Sequence, residues 1–150
     1  MTFNSYIDFK IRETIRNLVF IQLGMVGVLL LTGGIVFKLV YSSNSLYADD
    51  FQETLTLLIV ISMICTVISV FASKFIIKRI SRNKSAVIIL NNFKAAYILK
   101  YLLIVLPAIF GYVFFLYYAS YYFFYVSMVL IAFLATQKAT LRAVNEVIKA

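Results

Sequence analysis

The chain has 150 residues, 63% hydrophobic, with no histidine or tryptophan and a formal net charge of +8. A mean hydropathy of +0.97 excludes an ordinary soluble domain, in which roughly 45–50% of residues are apolar. One helical bundle uses up this length, and the lone Cys65 forms no internal disulfide and reads as a small buried hydrophobe.

In chain order, residues 1–17 form an amphipathic leader. Phe3, Ile7, Ile11, Ile15 and Leu18 recur at helical spacing, with Asp8, Arg12, Glu13 and Arg16 on the other faces. The leader is expected in or near the headgroup plane, with an extension of the first span into water as the alternative. A signal peptide is disfavoured, because the acidic Asp8 and Glu13 precede an apolar run of 20 residues, 18–37, with no A-x-A site after it.

Four stretches without any Asp, Glu, Lys or Arg follow one another: 18–37, 54–73, 101–118 and 121–136. Each approaches the ~20 residues that a helix needs to cross a bilayer. The expected fold is therefore all-α, a bundle of four transmembrane helices at 18–41, 54–77, 101–118 and 121–137 with amphipathic cytoplasmic extensions. In the first span Gly24, Gly27 and Gly34 share a face, and in the second Ser62, Thr66, Ser69 and Ser73 do. Small residues let backbones approach closely in lipid, so these two stripes are expected to face each other in a hairpin. A polar conduit along the Ser/Thr stripe is the alternative, although such hydroxyls commonly bond their own helix carbonyls. Gln22 is the one amide within the four uncharged stretches and sits near a cytoplasmic end.

Between the first two spans, one of Asp49 and Asp50 is expected to cap the second helix, with Glu53 favouring its first turn, rather than the three holding a cation, for which they provide too few oxygen ligands. Between the second and third lies a basic connection, 78–100. Within it, Lys78, Arg79, Arg82 and Lys84 are the candidates for lipid headgroup or partner contact. Helical pattern runs from Ser85 to Tyr118, 34 residues or about 51 Å, so its first part must protrude from the membrane, lie along the surface or bend. Pro107 falls inside and predicts a kink. Eleven of the sixteen residues from Phe110 to Tyr125 are aromatic, and Tyr117, Tyr118, Tyr121 and Tyr122 read as an interfacial belt. They would otherwise line an outward pocket. The tail, 138–150, carries Leu141, Val144 and Ile148 on one stripe and is expected to pack on the extension at 86–100.

Thirteen of the fourteen basic residues fall on one side if both termini are cytoplasmic, while Lys38 stands with the acidic outer segment. This is the positive-inside pattern of a multi-pass membrane protein. It sets the charge against anionic headgroups rather than nucleic acid. The halves share a plan, with Gly27/Gly111 and Arg16/Lys100 matching at an offset of 84, which would make the bundle two parallel hairpins.

Lys94-Ala95-Ala96-Tyr97-Ile98-Leu99-Lys100, the run from Leu102 through Pro107 to Phe110, and Thr136-Gln137-Lys138 carry a resemblance over 90–147. This segment resembles the C-terminal half of small four-helix membrane proteins of unknown function common in Bacteroidota. The family often has an acidic residue two places before the proline, where this chain has Val105. The resemblance implies the topology and a bacterial inner membrane, and it transfers no activity.

With no histidine and no carboxylate pair at membrane depth, general acid–base chemistry lacks its usual players. The sequence therefore points to no catalytic, metal or cofactor site. The expected function is that of a non-catalytic accessory, assembly or scaffold subunit that binds another membrane protein or anionic lipid. A small oligomeric channel or transporter component is the alternative.

Overall fold

The computed structural model describes residues 3–42, 51–80, 86–140 and 144, with the backbone course alone at 3–5, 7, 72–74, 76–80, 86 and 87. The described chain is helical, without strands. Its four helices are α1 (Phe3–Ser42), α2 (Gln52–Ile80), α3 (Ala86–Tyr118) and α4 (Tyr121–Thr136). α1, α2 and α3 are long and apolar enough to cross a membrane, whereas α4 has 16 residues.

The leader is continuous with the first span. No glycine or proline interrupts 3–23, and one 40-residue helix forms, about 60 Å long. Ile11 and Leu18 are buried, while Asp8, Arg12 and Arg16 are exposed. Helix α3 likewise runs unbroken over 33 residues, through a buried Pro107. At the end where both helices begin, Ile89, Leu90, Phe93 and Tyr97 join Ile11, Leu18, Ala139 and Val144 in the core. The remaining tail residues, 141–143 and 145–150, lie outside the described residues.

The helices alternate in direction. Gly33 and Phe37 of α1 meet Tyr112 and Phe115 of α3 in parallel order, and meet Met128 and Phe124 of α4 in reverse order. Thr54, near the start of α2, bonds Tyr118 at the end of α3 at 3.1 Å. The tight Ala119–Ser120 turn forces α3 against α4. Ala119 adopts φ 51°, the left-handed conformation that closes a helix, and its N–H bonds the Phe115 carbonyl at 2.9 Å.

The expected facing of α1 and α2 is not what forms. All three other helices pack on α3, and α1 turns its buried side to α3 and α4 while barely touching α2. A Cβ built on Gly24, Gly27 or Gly34 meets nothing within 4 Å. The close approaches belong to other glycines. A Cβ on Gly33 would lie 2.5 Å from the Tyr112 hydroxyl, and one on Gly111 would collide with Ser127 Oγ and stand 3.1 Å from the Phe123 carbonyl oxygen. The physical reason is the aromatic bulk of α3 and α4, which takes the centre of the bundle and needs the smallest residue wherever a ring or hydroxyl reaches a neighbouring backbone. Gly27 and Gly111, paired in the sequence repeat, therefore differ in role.

Candidate functional site

The buried polar groups gather in layers. Gln22, 1% exposed, donates from Nε2 to the carbonyl oxygens of Leu134 at 2.7 Å and Ala135 at 3.1 Å. The last four carbonyls of a helix have no partner within it, and those of α4 are all met here. Thr136 Oγ1 donates to Phe133 O at 2.7 Å. Gln137 N donates to Leu134 O and Lys138 N to Thr136 O, at 3.1 and 3.0 Å. Gln22 is thus a cap supplied by another helix.

Gln22 and Gly33 are eleven residues apart, as are Tyr101 and Tyr112. Eleven residues make about three turns, so in the parallel α1–α3 pair Gln22 and Tyr101 repeat the level and faces of Gly33 and Tyr112. Gln22 Oε1 and the hydroxyls of Tyr101 and Tyr112 are buried with no hydrogen-bond partner among the described residues. Beside this layer, Lys100 Nζ stands 5.4 Å from the centroid of the Tyr97 ring.

Ser62 and Ser69 are both buried on α2, which packs chiefly on α3. Their hydroxyls donate to Leu58 O and Thr66 O, each at 2.7 Å, so their hydrogen-bonding capacity is turned to their own helix. Ser127 bridges α4 to α3, donating to Ala108 O at 2.9 Å and to Phe123 O at 3.2 Å. Lys78 and Arg79 fall in the last turn of α2. The side chains of Ser73, Lys78 and Arg79 lie outside the described residues, as do Arg82 and Lys84 altogether. The described residues contain no group of three His, Cys, Asp or Glu able to hold a metal. Asp49 and Asp50 are outside them, and Glu53 occupies the first turn of α2.

The tyrosines divide. Tyr117, Tyr121, Tyr122 and Tyr125 are exposed, whereas Tyr118 bonds Thr54 and stacks on Phe123 with ring centroids 5.4 Å apart. Below them, α2 and α4 diverge around an apolar groove of about 590 Å³, walled by Leu55, Ser62 and Val67 on one side and Tyr122, Val129 and Phe133 on the other.

No family model matches this chain, and no curated protein or solved structure matches it.

Sequence reasoning picked out Gln22 but missed Gly33, Gly111, Ser127, Tyr101 and Tyr112. The eleven-residue spacing shared by Gln22–Gly33 and Tyr101–Tyr112 was the available signal.

Proposed function

We propose that this chain is a non-catalytic, four-span protein of the bacterial inner membrane with both termini cytoplasmic, acting as an accessory, assembly or scaffold subunit for another membrane protein. The resemblance to the Bacteroidota proteins belongs to the same proposal. The observation that carries it is where the polar groups go. Gln22, Ser62, Ser69 and Ser127 direct their donors to main-chain carbonyls, which builds helices and joins them rather than preparing a reactive group. Capping by Gln22 supports a spanning role for the 16-residue α4, since its last carbonyls then need no water.

Large apolar faces remain for a partner. Only 22% of the most apolar window of α1 and 17% of that of α2 is buried, against 39% for α3. The face of α1 bearing Gly24, Gly27 and Gly34 has open space beside it. A pore lined by the serines of α2 draws less support, because the Ser62 and Ser69 hydroxyls already bond their own helix.

Native mass spectrometry of the protein extracted gently from its own membrane tests the proposal. A reproducible heteromeric mass is expected, lost on Gly27→Leu and kept on Ser62→Ala and Ser69→Ala. A bare monomer or homo-oligomer would sink the subunit role.

A further inference from the structure

One line of residues on α1 stays uncovered along most of the helix. Tyr6, Phe9, Glu13, Arg16 and Phe20 follow one another at spacings of three and four, and Gly24, Gly27, Leu31 and Gly34 continue the line. At 3.6 residues per turn they all fall within about 40° of one direction, opposite the buried Ile11, Leu18, Leu29 and Val36. Phe9, Phe20 and Leu31 are 55%, 65% and 72% exposed. The three glycines have open space beside them.

Lipid covers only part of this line. The uncharged stretch of α1 begins at Leu18, so Phe9 and Tyr6 lie about 14 and 18 Å beyond it along the continuous helix. The headgroup layer on each face of a bilayer is only about 5–8 Å thick, which leaves both rings in water. They share their line with the glycines, and one helix laid along α1 covers both parts. Spacing of three and four is what keeps two helices in contact over many turns.

The order of residues suits a second copy of the chain. Copies inserted the same way set their α1 helices parallel, and about a two-fold axis each residue meets its own level. Glycine then lies opposite glycine, so the backbones approach closely within lipid, while the rings of Tyr6 and Phe9 cover one another outside it. Between these parts, Glu13 is held by Lys10 of its own helix at 3.3 Å and stands one turn from the exposed, oppositely charged Arg16. In a parallel pair each Glu13 carboxylate can reach the Arg16 of the other copy, and the two-fold axis makes that contact twice.

We propose that the line from Tyr6 to Gly34 on α1 is the interface of a parallel homodimer. The pair goes beyond the subunit role and rests only on the membrane placement given with it. The partner protein meets two copies, and Gly27→Leu loses that partner by parting them.

Disulfide cross-linking in isolated membranes tests the interface, because two cysteines join only when their Cα atoms come within about 7 Å. In a Cys65→Ser background, Phe9→Cys, Phe20→Cys and Leu31→Cys are each expected to shift the chain to a dimer on oxidation. Leu30→Cys and Leu39→Cys, at exposed positions about 80° and 100° to either side of the line, are expected to leave it monomeric. Gly27→Leu, where a Cβ meets nothing within 4 Å, should abolish the cross-links at positions 20 and 31. Glu13→Arg should weaken the one at position 9, and adding Arg16→Glu should restore it.

Dimers formed equally at Leu30→Cys and Leu31→Cys would overturn the interface as random collision. Cysteines on the line that stay monomeric, although a maleimide labels them in the same membranes, would overturn it and leave the membrane placement standing. Release of the chain from membranes by alkaline carbonate would remove the placement and the pair together.

Discussion

Gln22 Nε2 lies 2.7 Å from the carbonyl oxygen of Leu134, 112 residues away in sequence, and this bond ties the first helix to the end of the last. Replacing Gln22 by Leu removes two interhelical hydrogen bonds: the Ala135 carbonyl loses its donor, and the Leu134 carbonyl keeps only the Gln137 N–H. Interhelical hydrogen bonds in membranes contribute about 0.6 kcal/mol on average and up to about 1.7 each. Gln22→Leu is therefore expected to cost about 1–3 kcal/mol, read as lower thermal stability in detergent. Gln22→Glu should be as harmful, because an ionised carboxylate donates nothing to the carbonyls. Unchanged stability in both variants would show that the cap is dispensable.

Gly33 and its neighbour Gly34 make opposite predictions. A Cβ at Gly33 would press on the Tyr112 hydroxyl, while one at Gly34 points into open space. Overpacking typically costs about 1–3 kcal/mol, so Gly33→Ala should lose that much and Gly34→Ala nothing. Tyr112→Phe removes the crowded, unpartnered hydroxyl and should recover a large part of the Gly33→Ala loss. A double-mutant cycle measures this coupling, and strict additivity would contradict the packing described.

How much was legible in the sequence follows from this pair. The apolar runs gave the positions of the helices, because twenty residues without charge have one stable fate in lipid. They did not reveal which side faces inward. Lipid and core are equally apolar, so periodicity does not mark the buried face as it does in water. Choosing Gly34 instead of Gly33 is an error of one residue and about 100° of rotation. Gln22 stood out as polar in an apolar span, but its partner is a main-chain carbonyl, which every residue has.

Ala119 holds φ 51° in the turn between α3 and α4. Left-handed backbone costs a non-glycine residue roughly 1–2 kcal/mol. Ala119→Gly is expected to raise stability by up to about 1 kcal/mol, since glycine also loses more freedom on folding. A β-branched Ala119→Val should lower it by more than 1 kcal/mol, because its methyls crowd this backbone and the site is buried. Chemical denaturation in mixed micelles checks both signs.

Ser127 donates to Ala108 O across the α3–α4 contact, beside Gly111. Ser127→Ala should cost about 1 kcal/mol or less, since one interhelical bond is lost and little volume is removed. Ser127→Val should cost more, because its added methyls meet the gap that Gly111 keeps clear. A valine variant as stable as the alanine one would refute that tight approach.

The central claim, that α4 crosses the membrane despite its 16 residues and leaves both termini in the cytoplasm, is tested by single-cysteine labelling in whole cells. In a Cys65→Ser background, cysteine is placed at the exposed Tyr117, at the end of α3, or at the exposed Lys138, after α4. A membrane-impermeant maleimide is predicted to label position 117 in cells whose outer envelope is opened, and position 138 only after the inner membrane is permeabilised. Labelling of position 138 from outside, together with position 117, would contradict the four-span account and leave three.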